Sequence, residues 1–299
     1  MSIEPSSAAR QGYRWCRELA RSHYENFPVA SRLLPDRLRD PVSAIYAFAR
    51  TADDIADEGD VSPELRLHRL NEMEMALDAV ETGRTNTAPL FQALTDTIER
   101  YHLPVDLFRD LLSAFRQDVR KKRYTDFGEL KDYCRRSANP VGRLVLYLMG
   151  QVSEDKLQMS DAVCSALQLI NFVQDIDRDY REKHRIYIPL DEMRRFAVSE
   201  EDISQRRNSP RVKELIHFQI QRAAELLRSG IPLGRQTGGR FGLELRAVIL
   251  GGSRILEKLR KQDDPFDRPR LNASDRMLII CGAFKPGFRF IYSLSPRES

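Results

Sequence analysis

Apolar residues recur at helical spacing along almost the whole chain, whereas alternating β-branched runs bounded by turns are hard to find. This pattern predicts an all-α protein. We place helices at 9–24, 41–58, 63–82, 89–101, 104–122, 127–136, 141–150, 160–181, 210–229, 242–261 and 274–284. Turn formers and charges in 184–209 and 230–241 predict irregular structure there. Because no low-complexity linker or repeat period divides the sequence, we predict a single domain over residues 1–299.

Proline and glycine mark the predicted helix ends. Prolines fall in the first turn of several helices, where the missing N–H costs nothing: Pro41, Pro63, Pro89, Pro104 and Pro210. Gly59 and Gly230 stand where C-caps are expected.

Two stripes of polar side chains interrupt the apolar pattern, and each contains a pair of aspartates four residues apart. The first stripe consists of Tyr46, Arg50, Asp53 and Asp57. The second stripe consists of Gln168, Asn171, Asp175 and Asp179. These spacings keep each set on one face of an α-helix for about three turns.

The paired acids predict a bound cation. Two carboxylates ~6 Å apart in a cleft with an effective dielectric constant of ~20 repel by roughly 3 kcal/mol. Gln168 and Asn171 interrupt an apolar face that reads as buried, and buried amides need polar partners, which a carboxylate–metal site provides. Sparse oxygen ligands suit Mg²⁺, which bridges to phosphate oxygens. Because the five histidines are dispersed, zinc and di-iron chemistry are not expected.

The first stripe has an alternative interpretation. It is followed by further acids and ends near Gly59, so it could form a solvated acidic helix end in which Arg50 pairs with Asp54.

Composition and charge narrow the class of protein. The net charge of +4 is too small to predict nucleic-acid binding. Cations outnumber acids between Arg206 and Lys261, which indicates either a solvated basic surface or attraction to an anionic lipid or substrate.

Four scattered cysteines favour a reducing, cytoplasmic compartment. The polar N-terminus lacks the apolar run of a signal peptide, and the longest apolar runs are too short to span a bilayer. Any contact with a membrane is therefore expected to be peripheral.

The motifs resemble those of the squalene/phytoene synthases, over roughly residues 20–285. The resemblance lies in the two aspartate stripes, in Tyr133-Cys134 followed by Val141-Gly142, and in the Arg185-Ile-Tyr-Ile-Pro189 segment. It implies an isoprenoid synthase helical bundle with a central active-site cavity, acting on a prenyl diphosphate.

The resemblance also implies roles for individual residues. Asp53, Asp57, Asp175, Asp179 and Asn171 would hold Mg²⁺ on the diphosphate. Arg50 would contact the diphosphate, and Tyr46, Tyr133 and Gln168 would line the cavity. Arg185 and Tyr187 would either close the diphosphate end or anchor the following loop. On sequence alone, Tyr46 and Tyr133 are more often expected in core packing than in the lining of a pocket, and only the resemblance favours the cavity for them.

Other features resemble the hydroxysqualene synthase branch of that family. Gln174 stands where squalene and phytoene synthases usually have arginine, and His23–Phe27, Phe27–Ser31 and Ser137–Pro140 also fit this branch. The resemblance implies conversion of presqualene diphosphate and water to hydroxysqualene and diphosphate, without NADPH. Gln174 is either the residue that orients the water or a neutral replacement for arginine.

Two alternatives remain open at this stage. The first is head-to-head condensation of two prenyl diphosphates to presqualene diphosphate, squalene or phytoene, against which Gln174 and Glu25 count. The second is a catalytically silent family member that acts in assembly, against which the intact aspartates of both stripes count.

Overall fold

The structure, a computed structural model, describes residues 5–22, 35–84 and 86–285. Within these residues it contains fourteen α-helices and no β-strand, which confirms the all-α prediction. The helices are α1 (Ser7–Ser22), α2 (Asp36–Asp57), α3 (Pro63–Glu81), α4 (Pro89–Tyr101), α5 (Val105–Arg120), α6 (Phe127–Ser137), α7 (Asn139–Leu148), α8 (Glu154–Gln174), α9 (Ile176–Lys183), α10 (Leu190–Arg195), α11 (Glu200–Ser204), α12 (Pro210–Gln236), α13 (Gly239–Lys261) and α14 (Ala273–Phe284). Among the described helices, none is long and apolar enough to cross a membrane.

The chain forms two compact units. The first consists of Met1–Arg120 and Pro140–Ser153, and the second of Lys121–Asn139 and Glu154–Ser299. The single domain over residues 1–299 stays a prediction.

In the first unit, α2 packs against α1, α3, α4 and α5. Its buried face includes Phe48, whose ring contacts those of Phe91 on α4 and Phe108 on α5 edge-on, at centroid distances of 6.4 and 5.2 Å. Such edge-to-face pairs are a preferred aromatic geometry. Because this side of α2 is packed into the core, a different side of the helix remains partly accessible to solvent.

The start of α2 differs from the prediction, because the helix begins at Asp36 and Pro41 lies inside it. A proline at this position removes the backbone hydrogen bond to the carbonyl of Arg37. The hydroxyl of Tyr101 donates to that carbonyl at 3.1 Å. The helix therefore continues through Pro41 because a side chain from α4 replaces the missing donor.

In the second unit, α8 and α12 pack along each other, and Gly230 of α12 makes this possible. A Cβ on Gly230 would overlap the side chain of Val163 and lie 2.9 Å from the carbonyl oxygen of Met159. The prediction of a C-cap at Gly230 is wrong: α12 continues to Gln236. Here glycine permits close helix packing rather than a turn.

The segment 184–209 also differs from the prediction of irregular structure, because it contains α10 and α11. Helix α11 begins with a capping box, in which Ser199 accepts from the amide of Asp202 and Asp202 accepts from the amide of Ser199. A five-residue helix is too short to show an apolar period, which is why the periodicity did not indicate it.

Candidate active site

The four residues of the first stripe lie between the middle and the C-terminal end of α2. Tyr46, Arg50, Asp53 and Asp57 are all half-buried, whereas Phe48, Ala52 and Ala56, on a different side of the helix, are buried. Burial raises the pKa of Tyr46, although the positive charge of Arg50 opposes this shift. The stripe thus forms one partly accessible face of α2, as the spacing predicts.

Arg50 is surrounded by carboxylates. Its guanidinium lies 2.6 Å from Asp54 and 3.4 Å from Asp53, and it also pairs with Glu58. The pairing with Asp54 that the sequence offers as an alternative is therefore present. A guanidinium among several acids offsets part of their mutual repulsion.

A second arginine supports this end of α2 and was missed by the sequence analysis. Arg66 of α3 donates to the carbonyl oxygens of Ile55 and Glu58 at 2.9 Å, and to that of Gly59 at 2.6 Å. These carbonyls belong to the negative end of the helix dipole, where a cation is favourable. The spacing from Glu58 to Arg66 matches no short helical interval, so the pattern gave no signal.

The second stripe does not lie on one continuous helix, so the predicted helix 160–181 is corrected. Helix α8 ends at Gln174, Asp175 caps α9 with φ −105° and ψ 13°, and Asp179 lies in the first turn of α9. The backbone ladder nevertheless continues, because Asp175 N donates to Asn171 O at 2.9 Å and Asp179 N to Asp175 O at 2.7 Å. Asn171, Asp175 and Asp179 therefore follow one another at helical spacing.

The two amide side chains of the second stripe are less buried than the apolar sequence around them predicts. Asn171 is exposed and Gln168 is half-buried. The argument that these amides require polar partners inside the protein is therefore wrong for Asn171. Its position one turn before Asp175 remains compatible with a metal ligand.

Asp179 lies in an unfavourable environment for negative charge. Desolvation by burial, and then the charge of Asp175, raise the pKa of Asp179 to about 7, although Lys183, Arg185 and Arg178 oppose the shift. The backbone amide of Arg185 also donates to the carbonyl of Asp179 at 3.0 Å. An added cation would favour the ionised form of this carboxyl group.

Asp175 forms an ion pair with Arg268, a residue that the sequence analysis did not single out. Arg268 Nη2 donates to Asp175 Oδ2 at 3.1 Å, and its Nε contacts Oδ1. Next to it, Gln174 Nε2 donates to the carbonyl oxygen of Pro269 at 2.6 Å. Gln174 thus anchors the chain around Pro269, and a role in orienting water stays a prediction. Because 93 residues separate Asp175 from Arg268, no local pattern could reveal this contact.

Tyr133 of α6 is buried in a cluster of four aromatic rings. Its ring centroid lies 5.5 Å from that of Tyr124, 6.2 Å from Phe172 and 5.8 Å from Tyr187. Phe172 and Tyr187 stack at 3.7 Å. The buried guanidinium of Arg185 donates to the hydroxyl of Tyr187 at 3.0 Å. Through Tyr187, the Arg185–Pro189 segment therefore packs on Phe172, which is the residue that follows Asn171.

The candidate metal ligands are carboxylate and amide oxygens, which is the type of donor that Mg²⁺ prefers. In the part of the chain that the structure describes, no three histidine, cysteine or acidic side chains converge as a ready metal cluster. Magnesium is usually held by one or two carboxylates together with water and substrate phosphates. Asp175, which already pairs with a guanidinium, and Asp179, whose ionised form is disfavoured by burial and by the charge of Asp175, are carboxylates of this kind. The segments His23–Phe27 and Phe27–Ser31 lie outside the described residues.

Comparison with known proteins identifies the family. The sequence model of the Squalene/phytoene synthase family matches residues 20–276. The chain belongs to this family. It is an enzyme with a squalene/phytoene-synthase type of activity, in a family that acts on prenyl diphosphates.

Individual family members are similar over most of their length. The chain is 37% identical over 260 residues to a hydroxysqualene synthase of Rhodopseudomonas palustris, which covers 87% of each chain. It is 36% identical to a hydroxysqualene synthase of Zymomonas mobilis, over 85% of this chain and 84% of the relative. A phytoene synthase of Mycobacterium tuberculosis is 33% identical, over 75% and 73%.

Solved structures of the family have the same fold. The squalene synthase HpnC of Alicyclobacillus acidocaldarius superposes with a TM-score of 0.81 at 38% identity, over 88% of this chain and 97% of that chain. A dehydrosqualene synthase superposes with a TM-score of 0.82 at 22% identity, over 94% and 98%. These likenesses confirm the predicted isoprenoid synthase fold.

Proposed function

We propose that the protein converts presqualene diphosphate and water to hydroxysqualene and diphosphate in a Mg²⁺-dependent reaction. The observation that supports this most is the identity of 34–37% with three hydroxysqualene synthases, over 85–87% of the chain. The neutral Gln174 at the start of the second aspartate pair is consistent with it.

Departure of the diphosphate requires compensation of its negative charge. Mg²⁺ held by Asp53, Asp57, Asn171, Asp175 and Asp179 would supply positive charge to that leaving group. Arg50, whose guanidinium pairs with Asp53 and Asp54 on α2, would donate to the diphosphate. Preorganised charges of this kind lower a barrier by several kcal/mol.

The remaining steps depend on an apolar, partly aromatic environment. Breaking the carbon–oxygen bond leaves a cyclopropylcarbinyl cation, which rearranges before a water oxygen bonds to carbon and a proton is lost. Tyr46 and Tyr133 would face the cation, and an aromatic face stabilises a cation by about 0.5–2 kcal/mol. Gln168 would line the same pocket, and Gln174 would orient the water. Because none of these reaction steps transfers a hydride, NADPH is not required.

The long hydrocarbon chains of the substrate and the product also lead us to propose peripheral contact with a membrane from the cytoplasmic side. Chains of this length partition into lipid, since each buried methylene contributes about 0.8 kcal/mol. An enzyme that exchanges such molecules with a bilayer gains from resting on its surface.

Head-to-head condensation of two prenyl diphosphates is the second candidate, favoured by the 33% identity with phytoene synthases over 75% of the chain. Two incubations separate the candidates. With presqualene diphosphate, Mg²⁺ and no NADPH, we expect release of diphosphate and formation of hydroxysqualene. With farnesyl diphosphate alone, we expect no product. Formation of presqualene diphosphate in the second incubation would overturn the proposal, as would formation of squalene when NADPH is added to it, or of phytoene when geranylgeranyl diphosphate replaces farnesyl diphosphate. Failure to release diphosphate in both would favour a silent family member.

A further inference from the structure

Helix α14 has an almost wholly apolar outer face. Four of the eight exposed large apolar side chains within the described residues lie here: Met277 is 62% exposed, Leu278 55%, Ile280 53% and Phe284 64%. Cys281 is exposed among them. At 3.6 residues per turn, Met277, Ile280, Cys281 and Phe284 fall on one side of the helix. This concentration within eight residues distinguishes α14 from other surfaces, on which apolar side chains are scattered.

Contacts at both ends fix the orientation of this face. At the N-terminal end, the buried Asp275 pairs with Arg254 at 2.6 Å and with Lys258 at 2.5 Å, both from α13. At the C-terminal end, Arg246 donates to the carbonyl oxygen of Ala283 at 2.7 Å. The apolar face is therefore held outward by the packing of α14 on α13.

The exposed charges of α14 and of its C-cap are positive. The only acid of α14 is Asp275, which points inward, whereas Arg276 and Lys285 are exposed. Arg246 also donates to the carbonyl oxygen of Gly234 at 2.9 Å, so the C-terminal end of α12 lies beside that of α14. Two further exposed cations flank the α12–α13 turn, Arg235 near the end of α12 and Arg240 near the start of α13.

An apolar helix face bordered by arginine and lysine is the pattern by which interfacial helices bind anionic bilayers. The face is small for a protein partner. A 12-residue helix is about 18 Å long and about 10 Å wide, which gives roughly 200 Å² in projection, whereas standard interfaces bury about 800 Å² per partner. A lipid surface needs no matching protein surface.

We propose that the outer face of α14 docks on a bilayer surface that contains anionic lipid. The apolar side chains would enter the boundary of the headgroups, and Arg276, Lys285 and the α12–α13 turn would contact lipid phosphates. The proposal rests on the proposed function for its purpose, which is exchange of a substrate and a product with long hydrocarbon chains between the enzyme and the membrane. Its test does not depend on that function, because it measures binding to vesicles without substrate.

The test compares the full-length protein with a double variant, Met277→Glu with Phe284→Glu, in co-sedimentation with vesicles of phosphatidylcholine and phosphatidylglycerol. Both positions are exposed, so the fold is expected to persist, which circular dichroism would verify. We expect the affinity for vesicles to fall by roughly tenfold or more, since each substitution removes apolar contact and adds repulsion. The control is Met75→Glu on α3, which changes an equally exposed methionine (60%) and should bind as the unaltered protein does.

A fluorophore on Cys281, in a Cys164→Ala background, gives a local readout. We expect its emission to shift to the blue when vesicles are added, whereas a label on Met75→Cys in a Cys164→Ala/Cys281→Ser background should not respond. Absence of vesicle binding, or equal binding by the double variant, would overturn the proposal. So would a dimer in sedimentation that the double variant abolishes, which would assign the face to a second copy. If the Cys281 label already reports an apolar environment before vesicles are added, the outer face of α14 is covered by another part of this chain, which would also overturn the proposal.

Discussion

At the level of single residues, Asp175 and Asp179 have different neighbours although they belong to one stripe. Asp175 is paired with Arg268, whereas burial and the charge of Asp175 raise the pKa of Asp179 to about 7. A metal ion would compete with Arg268 for the first carboxylate and favour ionisation of the second. The two positions therefore offer different tests of the metal site.

Replacing Asp175 with asparagine tests the metal assignment. We expect Asp175→Asn to lower turnover roughly 100-fold or more and to weaken the dependence on Mg²⁺, because one charged oxygen ligand is lost. Diphosphate release measured over a range of Mg²⁺ concentrations checks this. Asp155→Asn, an exposed change near the start of α8, is the control and should behave as the unaltered enzyme. Full activity of Asp175→Asn would show that this residue holds no metal.

Gln174 offers a test of product specificity. Gln174→Leu removes the hydrogen bond to Pro269 O, which we expect to cost about 0.5–1.5 kcal/mol of stability. If its amide also orients the water, the ratio of alcohol to hydrocarbon product should fall. Product analysis gives this ratio, with Gln158→Leu on the exposed side of α8 as the control. An unchanged ratio would leave Gln174 as a structural anchor only.

At the level of elements, the acidic end of α2 depends on a neighbouring helix. Acids near a helix C-terminus oppose the dipole, and Arg66 compensates by donating to three carbonyls there. We expect Arg66→Met to lower the free energy of unfolding by about 1–3 kcal/mol, since these carbonyls lose their partner. Urea unfolding measures the change. Arg69→Met, at an exposed position on the same helix, should have little effect; an equal loss in both variants would contradict this role for Arg66.

The attachment of α14 to α13 should depend on pH. Burial acts to raise the pKa of Asp275, but Lys258, the amide of Asn272 and Arg254 outweigh it and hold this pKa well below its usual range. The pKa of Asp275 is lower in the folded protein than in the unfolded chain, where it is about 3.9, so ionised Asp275 stabilises the fold at pH values above about 3.9. This stabilisation is lost as the pH falls through the pKa of the folded protein. Below pH ~4 the stabilisation by Asp275 should therefore decline.

The variant Asp275→Asn makes this measurable. At neutral pH it should reduce the free energy of unfolding by about 3 kcal/mol, because Arg254 and Lys258 lose a buried partner. The difference from the unaltered protein should narrow as the pH is lowered below about 4. Unfolding curves at several pH values test this, with the exposed Asp263→Asn as the control. A difference that stays constant with pH would contradict the account.

At the level of the whole molecule, the sequence was most informative where one periodic face meets a core. The amphipathic spacing was enough to predict α3, α4 and α5 with nearly their observed bounds, and within each aspartate stripe it placed the residues at successive helical turns. Gly230 was misread because glycine ends helices and also permits close packing, and only the tertiary partner Val163 distinguishes the two uses. Pro41 was misread because the donor that compensates for it, Tyr101, lies on another helix.

The same limit applies to the site. Residues within one helix, such as Arg50 with Asp54, follow from local spacing. The contacts of Arg66 with backbone carbonyls and of Arg268 with Asp175 were not predicted, because they depend on how neighbouring segments pack and leave no periodic signal. The break at Asp175 was also missed, since a continuous polar stripe gives the same spacing on either side of a capped turn.

The central claim is that the reaction ends with capture of a carbocation by water. Incubation with presqualene diphosphate and Mg²⁺ in ¹⁸O-labelled water, followed by mass spectrometry of the product, tests it most directly. The account predicts hydroxysqualene in which the hydroxyl oxygen carries the label. A hydrocarbon product, or an alcohol whose oxygen is unlabelled, would contradict it.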